Sequence, residues 1–270
     1  MIKKELLDIW KSAKSRLIAV AFLLIVGVDF AEKVYWQYQD FWEHPEAYPE
    51  GVTGIYHPSM AGFPSGGGGL DHNCQYLLEW LLPIWCLLFC ADSFIREKRC
   101  GYLSVMDTRI SRKKFFWGKN LSAFFSGFML MFISLLLNYI LCMVAFPGND
   151  FRNLETYVGT EGMPEWFNIS LTYPVVVYFL YILSSSLITG LLCCMCTSLS
   201  MALPSYPLVY AISFMVWYPQ ISNDYSILNA MQPFLGIREE MTIVGIVIFL
   251  IPVILAMIAG YIRRVKCDTL

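Results

Sequence analysis

Leu121 to Phe146 is a run of 26 residues without one charged side chain. As a helix it would rise about 39 Å, more than the roughly 30 Å hydrocarbon core of a bilayer. Five further runs share its character: Ser15–Tyr35, with LIAVAFLLIVGV at its heart, Tyr76–Phe94, Leu171–Cys194, Leu199–Tyr218 and Met241–Ile262. Asp29 and Glu32 interrupt the first of these. No charge separates the fourth from the fifth. Ser and Thr in LLCCMCTSLSMALP, with Pro204 and Pro207, place a turn there, between Cys194 and Leu199. The apolar residues run on without alternating, which excludes a membrane barrel. Composition agrees: 57% hydrophobic and 15% charged residues, with mean hydropathy +0.55, against about 45–50% and 25% in soluble domains. The expected fold is an all-α integral membrane protein, a single transmembrane domain over 1–270 with six spanning helices.

Lys and Arg orient such a chain, because loops rich in them stay in the cytoplasm. The N-terminal segment, the 93–120 loop and the C-terminal tail hold sixteen of the nineteen; the other face has Lys33, Arg152 and Arg238. Both termini are therefore expected to be cytoplasmic, with 36–75 as a long outer loop and 95–120 as a cytoplasmic one. Residues 1–16, MIKKELLDIWKSAKSR, place Ile2, Leu6, Ile9 and Trp10 near helical spacing among lysines. This predicts an amphipathic helix on the inner leaflet, and no cleavage site marks it as a signal peptide.

Little in the chain suggests chemistry. The cysteines near the spans, CCMC at 193–196 included, read as small packing residues, and no disulfide or metal site is expected. His44, His57 and His72 are scattered polar residues of the first outer loop. Gly66–Gly69 lacks the Lys-Ser/Thr of a phosphate loop, so any ATP must bind to another chain. NIS at 168–170 is a glycosylation triplet expected in an outer loop. The outer aromatics, Tyr35, Trp36, Tyr38 and Trp42 among them, read as an interfacial belt. Glu79 is the clear acid in an apolar run, placed near the outer surface within reach of water, where it is a candidate gate or substrate contact. No catalytic residue, cofactor site or nucleic-acid partner is expected.

The cytoplasmic loop carries more pattern than orientation requires. Gly101 can end the helix that continues from the second span. YLSVMD is long enough for one to two turns, with Tyr102, Leu103 and Met106 as an apolar edge. Ser111 is a candidate N-cap for the next helix, with Phe115, Phe116 and Trp117 at the membrane interface. A short transverse helix with a sticky edge suits docking.

This loop resembles that of ABC transporter permeases of the type-2 exporter class. Glu97, Gly101, YLSVMD, Ser111-Arg112 and Gly118-Lys119 match an acid, a Gly, a coupling helix, a Ser-Arg turn and a Gly-Lys. ILNAMQPFLGI at 227–237 resembles the family's outer segment between spans five and six. Ile110 replaces the usual Pro, Ser104 replaces a usual Glu, and the first outer loop is long. The resemblance implies a bacterial, multi-pass inner-membrane protein that pairs with a second permease, identical or homologous. Separate ATPase subunits would carry ATP and Mg. Tyr102, Leu103 and Met106 would plug into the ATPase, with Glu97, Asp107, Arg109 and Arg112 as a polar rim. The cargo would be hydrophobic or amphipathic: a peptide, an antibiotic or a lipid-like molecule. The alternatives are a non-transporting scaffold or sensor that binds its partner through the basic loop, and a membrane-embedded enzyme, for which the spans lack paired acids or histidines.

Overall fold

The structure, a computed structural model, describes residues 2–44, 57–64, 73–91, 93–146, 164–234 and 238–267. It is helical, with no strand among the described residues. The helices are α1 (Ile2–Lys11), α2 (Ala13–Glu43), α3 (Pro58–Ala61), α4 (Asn73–Trp80), α5 (Leu82–Cys86), α6 (Ser93–Arg99), α7 (Tyr102–Arg109), α8 (Arg112–Ala145), α9 (Glu165–Thr172), α10 (Pro174–Ala202), α11 (Tyr206–Ile221) and α12 (Glu239–Tyr261). A π turn, Leu87–Ala91, follows α5, another, Ile262–Cys267, follows α12, and a 3-10 turn, Ile227–Ala230, precedes α12.

Among the described residues, three helices are long and apolar enough to cross a membrane: α8, α10, and α12 with its continuation to Lys266. Cys74–Trp80 and Leu82–Lys98 make a fourth if the pair is one span bent by 66°. α10 is central, packed between α8 and α12. Half of its apolar window is buried, against 28% for that of α12. Its interior face includes small residues such as Ser185, Ser186, Gly190 and Ser198, which let backbones approach. Ser186 and Thr189 satisfy their hydroxyls on the preceding turn, at Ile182 O (2.6 Å) and Ser185 O (2.8 Å).

Several expected boundaries move. The second span is not one straight helix. Pro83 has no N–H and its ring displaces the carbonyl of Glu79, so the helix breaks at Leu81. The indole of Trp217 takes up that carbonyl, Nε1 to Glu79 O at 3.0 Å. The turn expected between Cys194 and Leu199 lies instead at Leu203–Ser205. Leu203 precedes Pro204 and is extended (φ −100°, ψ 150°). CCMCTSLS stays helical because α8 holds it: Cys194 Sγ donates to Asn120 O (3.2 Å), and Ser198 Oγ to Asn120 Oδ1 (2.8 Å).

The expected 36–75 outer loop begins later, since α2 runs unbroken through Glu43 and carries Tyr35, Trp36 and Tyr38. The NIS triplet lies in α9 rather than a loop, with Ser170 buried and bonded to Phe167 O at 2.6 Å. α1 is the expected N-terminal helix, but it packs against α8, and its buried residues are Glu5 and Ile9. His57 caps α3, its Nδ1 accepting from Ser59 N at 3.1 Å. His72 and Gly66–Gly69 lie outside the described residues.

Candidate functional site

At one end of the bundle, the start of α8, the end of α10 and the tail after α12 converge on α7. Gly101, at φ +70°, ends α6 and N-caps α7 in the left-handed region that favours glycine. No atom within 4 Å opposes a Cβ there, so only the backbone demands the residue. α7 then runs Tyr102–Arg109, as YLSVMD predicted.

The expected apolar edge of α7 is divided between inside and outside. Leu103 is buried and clusters with Phe94, Phe115, Phe116 and Met201, with Met106 packed against them. Tyr102 and Val105 are exposed, at 37% and 50%. The helical period explains this, since Leu103 and Met106 share a face that already serves the core. Phe115 and Phe116 also belong to this cluster and not to a membrane interface, whereas Trp117 is exposed.

The expected polar rim is likewise largely internal. Asp107 pairs with Arg112 (3.3 Å) and with Arg264 of the C-terminal tail. Arg264 is 2% exposed and lies 5.0 Å over the Phe115 ring. Glu97 accepts from Lys119 at 2.6 Å, and Lys119 also pairs with Glu5 of α1 at 2.6 Å. Arg109 is exposed. Outward from α7 therefore face Tyr102, Val105, Thr108 and Arg109. Sequence reasoning missed the ion-pairing roles of Lys119, noted only as topogenic charge and as part of the Gly118-Lys119 match, and of Arg264, counted only as topogenic charge. Lys119 could have been suspected from its place one residue before an Asn and the long apolar run of α8.

The other end of α10 and α12 lies about 30 Å away, at a 1.5 Å rise over the twenty residues from Tyr181 to Met201. Here Glu79 does not reach water: it is 1% exposed. Gln75 Nε2 donates to its Oε1 (3.2 Å) and Gln232 Nε2 to its Oε2 (3.0 Å). The network thus joins α4 to the segment after the 3-10 turn, while Trp217 of α11 holds the Glu79 carbonyl. That segment is seated by Ser185 Oγ on Met231 O (3.2 Å). Gly245 of α12 passes so close to the chain just before the 3-10 turn that a Cβ would lie 2.7 Å from Tyr225 O. Phe234, a non-glycine residue at φ 64°, closes the segment in a strained conformation.

Gln232 and Phe234 also line a cavity of about 250 Å³ between α9, α10 and α12. Across its mouth Trp166 donates its backbone N–H to Glu239 Oε1 (3.0 Å) and its Nε1 to Tyr181 Oη (3.1 Å). Leu180, Ile243 and Ile246 line its exposed side. The chain therefore has an acidic, cavity-bearing end and a basic end with a mounted cross-helix.

A match to known proteins spans both ends. The chain belongs to the DUF2705 family, described as a protein of unknown function. The match covers residues 56–266. It takes in Glu79, α7, the cavity and Arg264, and leaves α1 and α2 outside. The chain is also 30% identical over 209 residues to the uncharacterized protein YybM of Bacillus subtilis (strain 168), an alignment covering 76% of this chain and 82% of that one. No solved structure matches.

Proposed function

We propose that this protein is the transmembrane permease subunit of an ATP-driven exporter of the ABC type. It works in a bacterial cell membrane with a second permease and with separate ATPase subunits that hold ATP and Mg, and it is not itself catalytic. In this reading the six spans are α2, the bent α4–α6 segment, α8, α10, α11 and α12. Both termini and the 93–120 region face the cytoplasm. The acids that spoil the apolar run of α2 speak less strongly against a span than they first do. Asp29 is buried and paired with Lys33 at 3.1 Å, and Lys33 also donates to Gly62 O.

The observation that carries the reading is α7. It is a two-turn helix fixed between two membrane-capable segments by Leu103 and by Asp107, and it still presents Tyr102, Val105 and Arg109 outward. A helix fastened on one face and carrying exposed Tyr102 and Val105 on the other can pass a push from a partner into α8, α10 and the C-terminal tail. Binding that differs between two states of the partner would then shift the permease between two arrangements. The cargo is hydrophobic or amphipathic, since the spans hold mostly Leu, Ile, Val, Phe and Ser.

The test is affinity purification of the tagged chain from its native membrane in mild detergent, with co-purifying subunits identified by mass spectrometry. A stoichiometric ATPase that is lost from Tyr102→Asp and Val105→Asp variants is the expected result. A chain arriving alone, from membranes that express a candidate ATPase, would overturn the proposal.

A further inference from the structure

The hydrogen bonds around the α9–α10–α12 cavity leave an imbalance. Several of its polar side chains spend a donor inside the protein. The Gln232 amide nitrogen is committed to the Glu79 carboxylate. That of Asn229 is committed to Asp224 O at 3.2 Å, and the Ser170 hydroxyl to Phe167 O. The Trp166 indole N–H is taken by Tyr181 Oη. Each of the two amide nitrogens keeps one further hydrogen; the acceptors left for a guest are the amide oxygens of Gln232 and Asn229, the Ser170 lone pairs and the second carboxylate oxygen of Glu239, the only charged group among the described lining residues. Tyr181 keeps one hydrogen, and Ser184 and Thr242 can serve either way. No Lys, Arg or His is among the described residues that line the cavity.

Glu79 has a role in this that its burial alone would not suggest. A carboxylate accepts and an amide nitrogen donates, so Glu79 fixes which way the Gln232 amide points. It is a positioning residue for an acceptor in the cavity. The rings of Trp166, Tyr181 and Phe234 add π faces that attract a cation. The exposed side is apolar, since Leu180, Ile243 and Ile246 are 46%, 61% and 37% exposed and sit on helices that can cross a membrane. The cavity is small, about 250 Å³. That suits one end of an amphiphile and not a whole large molecule.

We propose that this cavity binds the ammonium end of a cationic amphiphile, its head among Glu239, Gln232 and Asn229 and its apolar part along Leu180, Ile243 and Ile246. As a cargo site it rests on the export reading; as a binding site it stands without it.

The experiment uses the full chain in nanodiscs of neutral phosphatidylcholine, with no ATP and no partner, so its outcome is independent of transport. The probe is 8-bromooctylammonium, whose bromine quenches nearby tryptophan. Saturable quenching is expected, and Trp166→Phe should abolish that saturable part. Glu239→Gln and Gln232→Leu should each weaken it about tenfold or more, as loss of a charge-assisted or buried acceptor does. Glu240→Gln, outside the cavity, should leave it unchanged. 8-Bromooctanol and 8-bromooctanoate should bind at least about tenfold more weakly than the ammonium. Equal quenching by the alcohol or the carboxylate would overturn the proposal. So would ammonium binding that is indifferent to both Glu239→Gln and Gln232→Leu, or quenching that survives Trp166→Phe.

Discussion

Lys119 shows how much one side chain can organise. Its ammonium holds Glu5 of α1 and Glu97 of α6 at 2.6 Å each, in a site where its own side chain is only 6% exposed. Removing one partner of a buried ionic cluster strands the others without compensation. Lys119→Met is expected to lose about 3 kcal/mol of stability, read as a lower SDS midpoint for loss of the helical circular-dichroism signal. A midpoint like that of the native chain would mean that the three side chains do not meet. Glu79 makes the complementary case. Glu79→Leu leaves the amide nitrogens of Gln75 and Gln232 without their acceptor and should cost about 1–3 kcal/mol by the same titration. Glu79→Gln restores an acceptor oxygen and should cost clearly less. If the two variants lose equally, the hydrogen bonds contribute nothing beyond shape.

At the scale of the element, α7 has an inner and an outer face that mutations should separate. Leu103→Asp places a charge in the cluster of Phe94, Phe115 and Phe116 and should lower the unfolding midpoint. Tyr102→Asp and Val105→Asp alter exposed positions and should change it little. If the inner and outer variants shift the midpoint equally, α7 is not seated as described. The left-handed start of the same helix gives a purely conformational test. Gly101→Ala should cost about 1 kcal/mol, and Gly101→Asn less, because Asn tolerates that region better. The bend at Leu81 has the opposite origin: there a side chain, Pro83, forces the backbone and Trp217 repairs the exposed carbonyl.

For the molecule as a whole, the two ends differ in charge and in accessibility. Cys100 beside α7 is an exposed thiol at the basic end. Asn223, after α11, is exposed near the cavity end. With both termini cytoplasmic, a membrane-impermeant maleimide added outside intact cells should label an Asn223→Cys substitution and spare Cys100. It should reach Cys100 only after the cells are opened. The reverse pattern would invert the proposed orientation. Labelling of both sites from outside would mean that the two ends do not lie on opposite faces, and six spans would no longer fit.

Local chemistry made part of this protein legible from residue order. Uncharged runs such as Leu121–Phe146 demand helices that satisfy their own backbone in lipid. A glycine between charged and amphipathic stretches marked the start of α7, and the N-terminal pattern marked α1. Proline chemistry was only partly used: Pro83, passed over within the second span, and Pro204 set the real breaks, while the Ser- and Cys-rich stretch 194–199 stayed helical through bonds to Asn120. What residue order did not settle was direction. Leu103 and Met106 face inward, and Asp107, Arg112 and Lys119 pair within the chain. Glu79 is sealed by a glutamine 153 residues away. Each of these depends on which distant helix covers which face. A one-dimensional pattern gives the period of a helix face, and only packing decides whether that face meets protein, lipid or water.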